Sequence, residues 1–154
     1  MAPNKKWAVR QSAFIVRNKG IIMISTSRER YALMAVFGLA LKYNSDNAAL
    51  LQLDEIAEQH EIPKGYLLQI MRQLGVAGIL HSARGPKGGY KLTRQPSEIS
   101  FGDVVRALNG HRMTLESPNM SHMPERLDAV WKNSMQEMMS VLDRKTFADV
   151  IESA

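Results

Sequence analysis

The apolar positions of this chain follow a helical period, switch once to a strand period, and switch back. A first helix is expected from Ser27, which can cap it. Arg28-Glu29-Arg30 form a charged first turn, and residues 31–41 are apolar nearly all round, as in a helix buried between neighbours. Asn44-Ser45-Asp46-Asn47 reads as a loop. In a second helix Leu53, Ile56 and Ala57 share one face, while Asp54, Glu55, Glu58 and Gln59 take the other. It stops at His60-Glu61-Ile62, and Pro63 restarts a third helix, proline being tolerated at the first helical position. There Leu67, Ile70, Met71 and Leu74 fall at i, i+3, i+4 and i+7, the spacing of one buried stripe. Two helices joined by so few residues predict a helix-turn-helix.

After Gly75 and Gly78 the period becomes that of strands. Ile79-Leu80-His81-Ser82-Ala83 and Gly89-Tyr90-Lys91-Leu92 read as a hairpin whose tip is Arg84-Gly85-Pro86-Lys87-Gly88. A two-stranded wing after a helix-turn-helix is a winged helix. Ser100 caps a further helix, with Asp103 in the reciprocal place of a capping box and Val104, Val105 and Leu108 as its apolar face. Residues 111–123 have no period and read as a linker. Pro124 then opens a long helix striped by Leu127, Val130, Trp131, Met135, Met138 and Leu142, and a short last helix is expected from Thr146. The predicted fold is mainly α with a small β-hairpin wing. A winged helix-turn-helix spans residues 23–110, and a long dimerisation helix with a short terminal helix spans 124–154. Residues 1–22 show no stripe and no turn chemistry. An upstream start or added residues is favoured for them over a disordered basic arm or an organellar transit peptide.

Composition narrows the function by exclusion. With 154 residues the chain suits one domain, or one domain with an appended element. It has no cysteine, which excludes thiolate-held zinc or iron–sulfur sites, disulfides and a cysteine nucleophile. The longest apolar run, residues 31–41, is 11 residues long and contains Gly38, whereas a membrane span needs about 20. The net charge of +5 looks like a nucleic-acid signature, but residues 1–22 contribute +5, residues 23–110 +2 and residues 111–154 −2. Net charge alone therefore says little about the partner; the local distribution must decide.

That distribution is informative. Residues 62–97 hold no Asp or Glu and six bases, Lys64, Arg72, Arg84, Lys87, Lys91 and Arg94. The run coincides with the third helix and the wing, and one-signed positive charge there is what phosphate neutralisation needs. Off the apolar stripe of the third helix lie Lys64, Gly65, Leu68, Gln69, Arg72 and Gln73. The Gln69 amide can pair with adenine, a lysine or arginine can reach guanine or phosphate, and Leu68 can touch a thymine methyl. Tyr66 reads equally as a phosphate contact or a half-buried core tyrosine. At the wing tip Gly85 and Pro86 remove bulk and stiffen the turn, so the Arg84 guanidinium can enter a narrow minor groove beside Lys87. The stripe Leu127, Trp131, Met135, Met138 and Leu142 is too long and apolar to stand alone on a small domain and predicts a homodimer. His111 and His122 lack a third ligand partner and are weak metal candidates. No enzyme motif is present, and no cofactor is expected.

Three strings, Ser27-Arg28-Glu29-Arg30-Tyr31-Ala32-Leu33, Pro63-Lys64-Gly65-Tyr66-Leu67 and Arg84-Gly85-Pro86-Lys87-Gly88-Gly89-Tyr90-Lys91-Leu92, together resemble the bacterial family of iron–sulfur-cluster regulators. The similarity runs from Met23 to Gly110, and Trp131 and Lys145-Thr146-Phe147-Ala148-Asp149-Val150 resemble the family's dimerisation helix and terminal motif. The resemblance implies a homodimeric winged-helix repressor with one long helix per subunit packed across the two-fold axis. Two departures stand out. Cluster-binding members carry three cysteines in the segment matching residues 111–123, and this chain has none. Leu68 stands where the cluster regulator has a glutamate that tunes base choice.

The leading expectation is a cytoplasmic, sequence-specific regulator of transcription, dimeric on a pseudo-palindromic double-stranded DNA operator. The alternative is a winged-helix module whose basic face binds an acidic protein. A small-molecule effector near the linker, a protein effector, or none all remain open.

Overall fold

In the computed structural model, residues 27–46, 49–109 and 123–153 are described. Helix α1 (Ser27–Ser45) is followed by α2 (Leu53–His60), α3 (Lys64–Val76), strands β1 (Leu80–Ala83) and β2 (Gly89–Leu92), and a 3-10 turn (Pro96–Glu98). Helices α4 (Phe101–Asn109), α5 (Glu125–Asp143) and α6 (Phe147–Glu152) complete the order. The fold is the mainly helical winged helix that the alternating periods predict. Residues 1–26 and 110–122, including His111 and His122, lie outside the described residues.

The core forms where the apolar stripes converge. Ala32, Ala35, Val36, Leu39 and Ala40 of α1 are buried in it, as are Ile56 of α2 and Val104 and Leu108 of α4. The predicted stripe of α3 is wholly inside, with Leu67, Ile70, Met71 and Leu74 each at most 1% exposed. Burying each such side chain contributes about 1.5–3 kcal/mol. Those four residues therefore fix which side of α3 faces out. Exchanging Leu67 for alanine would cost about 2–5 kcal/mol and loosen that orientation.

The turn between α2 and α3 is tight because Glu61 takes a left-handed conformation, φ 53°, and the Ile62 N–H returns to Ala57 O at 2.9 Å. Pro63 stands at the cap position, one residue before α3 rather than inside it. The hairpin is antiparallel with Leu80 opposite Leu92, His81 opposite Lys91, Ser82 opposite Tyr90 and Ala83 opposite Gly89. Leu80 and Leu92 are both buried and root the wing in the core. The expected capping box of α4 is present: Ser100 N–H donates to Asp103 Oδ2, and Asp103 N–H to Ser100 Oγ, both at 3.0 Å.

The C-terminal elements behave differently from one another. Helix α5 has no buried residue and touches the body at its far end. There Asp143 accepts from Arg106 at 2.7 Å, and a Cβ on Gly102 would lie 1.8 Å from Asp143 Oδ1, so a larger residue there would push that carboxylate from its place beside Arg106. Helix α6, grouped with the long helix by sequence, returns to the winged-helix core. Phe147 is 1% exposed, its ring lies 4.9 Å from that of Phe101, and its N–H donates to Ile99 O at 3.2 Å.

Candidate nucleic-acid interface

With its stripe buried, α3 shows the opposite side to solvent. Gly65, Gln69, Arg72 and Val76 are all exposed there, at helical spacing along one line. Both flanks of that line are braced. Tyr66, 37% exposed, meets Tyr31 of α1 edge-on with ring centroids 5.9 Å apart, and Gln73 accepts a hydrogen bond from the Arg28 guanidinium. On the other flank Lys64 pairs with Asp54 of α2 at 2.5 Å. Residues 62–97 are thus acid-free along the chain but not in space, because Asp54 reaches in from the preceding helix. An exposed pair of this kind is worth about 0–1 kcal/mol, so a phosphate can displace the carboxylate at little cost.

The wing is held to the helix-turn-helix by the residues just before α2. Leu51 N–H donates to Tyr90 O at 2.9 Å and Tyr90 N–H to Leu51 O at 2.8 Å, so one residue serves as a third strand. Gly89 makes this possible: with φ 155°, a Cβ there would sit 2.5 Å from Leu51 O. Next along, Gln52 donates its N–H to the Glu55 carboxylate at 2.8 Å and its side-chain amide to Pro86 O at 3.3 Å. That second bond ties the wing tip to the start of α2. At the tip itself Gly88 N–H bonds Gly85 O at 2.9 Å, and Arg84, Gly85, Pro86 and Lys87 are all exposed.

Between α3 and the wing runs an open groove of about 900 Å³. Lys64, Leu68 and Arg72 stand on its helical wall, and Arg84 and Gly85 on the wing wall. The structure therefore brings Lys64, Arg72 and Arg84 together. Tyr66, Gln69, Pro86 and Lys87 are not on those walls: Tyr66 turns to α1, Gln69 faces outward from α3, and Pro86 and Lys87 sit at the tip. Arg72 and Arg84 have no carboxylate partner among the described residues, so their charge is available to a ligand. Gln52 and Arg28 were not singled out as part of the site from sequence. The Gln52-to-Glu55 spacing signals a helix start but gives no hint of the tether to Pro86.

The predicted dimerisation stripe lies on one side of α5. Leu127 and Trp131 are 55% and 50% exposed, Val130 and Val141 63% and 50%, and Met135, Met138 and Leu142 are half-buried. Large apolar side chains on one face of a helix, uncovered by the rest of the described chain, mark an interaction surface.

The family model described as Rrf2, iron-dependent transcriptional regulator, matches residues 25–153. The chain belongs to the Rrf2 family. A protein of Mycobacterium tuberculosis named as an HTH-type transcriptional regulator is 30% identical over 137 residues, 86% of this chain and 83% of the relative. Another so named from Aquifex aeolicus is 39% identical over 83 residues, and there the similarity spans only 55% of the relative's length. Among solved structures, IscR of T. potens has a TM-score of 0.68 and 29% identity, covering 85% of this chain and 88% of that one. CymR, the global cysteine regulator of B. subtilis, has a TM-score of 0.69 and 26% identity, covering 86% and 99%. These Rrf2 relatives are transcriptional regulators and not enzymes, and the winged helix of this chain is theirs. The family description names iron, and the residues here do not fit an iron–sulfur cluster. The sequence has no cysteine to supply a thiolate, and among the described residues no three His, Asp or Glu side chains come together.

Proposed function

We propose that this Rrf2-family regulator is a cytoplasmic homodimeric repressor that binds a pseudo-palindromic DNA operator and works without an iron–sulfur cluster. The observation that carries this reading is the groove that sets Arg72 on α3 opposite Arg84 on a wing tethered at Leu51 and Gln52. A recognition helix enters the major groove, with its first residues on base edges. In that pose Gln69 reads a base, Lys64, Arg72 and Lys87 neutralise phosphates, and Tyr66 offers its hydroxyl to the backbone. Gly85 and Pro86 let Arg84 reach the adjoining minor groove, where a narrow width favours arginine over lysine. The uncovered face of α5, with Leu127, Trp131, Met135, Met138 and Leu142, supplies the two-fold contact that pairs two half-sites.

The test is a titration of variants against a selected duplex and a scrambled one at several salt concentrations. Arg84→Ala should lose about 1–3 kcal/mol on the selected duplex and much less on the scrambled one. Lys87→Ala should weaken both alike and flatten the salt slope by about one unit. Gln69→Ala should relax preference at one base position per half-site and leave that slope unchanged. If Arg84→Ala matches wild type on both duplexes, the wing is structural only. Insensitivity of partner binding to competitor DNA would favour an acidic protein as the ligand of this face.

A further inference from the structure

On the side of α3 turned away from the wing lies a second groove of about 680 Å³, between the first turn of α1 and the last turns of α3 and α4. Arg28, Arg72, Val76 and Leu108 line it, and among the described residues no carboxylate is on its walls. Arg106 also reaches it, but its guanidinium is taken up by Asp103 at 3.0 Å and Asp143 at 2.7 Å. Arg28 is in a different position. The group that holds it is the neutral Gln73 amide oxygen, so the guanidinium is aimed without being discharged.

The aim has a rigid backing. Glu29, buried next to Arg28 in the chain, accepts from Asn109 Nδ2 at 3.1 Å and fastens the first turn of α1 to the end of α4. One turn along α1, Tyr31 braces Tyr66. A guanidinium in a fixed orientation matches the paired oxygens of a phosphodiester. A helix in the major groove has a phosphate strand on each side, the groove being about 12 Å wide. The wing attends one flank of α3, and the other flank ends at Arg28.

We infer that the second groove takes the phosphodiester backbone of the strand opposite the wing. Arg28 is the contacting cation and Gln73 the residue that positions it, while Arg72, which lines both grooves, stands between the two strands. The inference rests on the DNA-binding reading above and adds a grip on the second strand.

The experiment uses the full chain and a duplex that the protein itself selects from a random pool, with single uncharged methylphosphonate linkages placed in turn along each strand. For wild type, one or two linkages on the strand opposite the wing should weaken binding about three- to tenfold. In Arg28→Ala those same linkages should cost nothing further, and the salt slope should fall by about one unit. Arg28→Lys should keep most of the slope. Gln73→Ala should keep it too while losing about twofold in affinity, because the cation remains but is no longer aimed. A merely structural Arg28 would instead lower thermal stability and leave the methylphosphonate pattern intact. An unchanged slope and pattern in Arg28→Ala overturns the inference while leaving the DNA reading in place. Failure to select any duplex overturns both. Saturable binding of inorganic phosphate to the DNA-free protein, seen at the Arg28 side-chain N–H by NMR and without a methylphosphonate effect, would reassign the groove to a small anion.

Discussion

Replacing Phe147 with alanine tests whether the C-terminal helix is part of the winged-helix core or an appendage to it. The side chain is 1% exposed and packs on Phe101 at 4.9 Å between ring centroids. Truncating a buried phenylalanine costs about 3–5 kcal/mol, the sum of lost transfer energy and a cavity that the surroundings only partly fill. Here collapse is restricted, because Phe101 opens a helix fixed by the Ser100–Asp103 box and Ile99 is fully buried beside it. The loss should therefore be near 4 kcal/mol, a large part of the 5–15 kcal/mol that typically holds a domain together. For a chain of 154 residues, each kcal/mol moves the melting temperature by about 2–4 °C, so a fall of about 8–16 °C is expected. Urea unfolding followed by circular dichroism, at one fixed protein concentration, gives the free energy directly. Val150→Ala, on the exposed side of the same short helix at 38% exposure, should change stability by less than about 1 kcal/mol. A loss under about 1 kcal/mol in Phe147→Ala would refute the packing argument.

Combined replacement of Leu127 and Trp131 by alanine should give a folded monomer in sedimentation at micromolar concentration, since both side chains are at least half exposed in the single chain; a persistent dimer would show that α5 is not the interface. Removing residues 124–154 cannot serve that purpose, because it also takes Phe147 from the core. Gly89→Ala should break the pairing of Leu51 with Tyr90, seen as faster hydrogen exchange of both amides, and weaken binding to a selected duplex; protected amides would count against the wing tether. Burial holds the His60 imidazole below its ordinary pKa of 6.5. The unfolded chain therefore binds protons more readily, and stability should fall as pH drops through about 6.5. Urea titrations at about pH 7.5 and 5.5 should show that loss in wild type and a smaller one in His60→Gln, and equal losses would refute it. Supplied with iron and sulfide under anaerobic conditions, the protein should stay colourless and bind its duplex unchanged; a stoichiometric cluster chromophore would disprove that expectation.

The stripe of α3 was legible in the sequence because the core dictates a helical period, and four apolar residues at that period leave one orientation. The hairpin was legible because Gly85, Pro86, Gly88 and Gly89 interrupt two short strand-like runs. Boundaries were less so: Ser27 is already helical, α1 continues through Ser45 where a loop was expected, and Pro63 sits just outside α3. The turn at Pro96–Glu98 carries its own signal, since Gln95 and Glu98 have capping-box spacing and Gln95 N–H does reach Glu98 at 3.1 Å. The candidate site divides along the same line. Gln69, Arg72 and Arg84 follow from periodicity and turn chemistry, whereas the Asp54–Lys64 pair, the Gln52 tether and the Arg28–Gln73 bond depend on how α1 and α2 lie against α3 and the wing. No local pattern encodes those placements.

The seat of Phe147 also imposes an order of events during synthesis. Helices α1 to α4 and the wing are all made before it, and Phe147 follows Asn109 by 38 residues. At ribosomal rates of 5–20 residues per second that is a delay of about 2–8 seconds, in which the nascent domain has every helix of its body except the one that fills its last gap. Within that interval α5, with Leu127, Val130 and Trp131 uncovered, emerges ahead of the residue that completes the fold. The nascent chain thus exposes the apolar face of α5, proposed above as the two-fold contact, before its own body is finished, and neighbouring ribosomes on one message would hold two such faces close together.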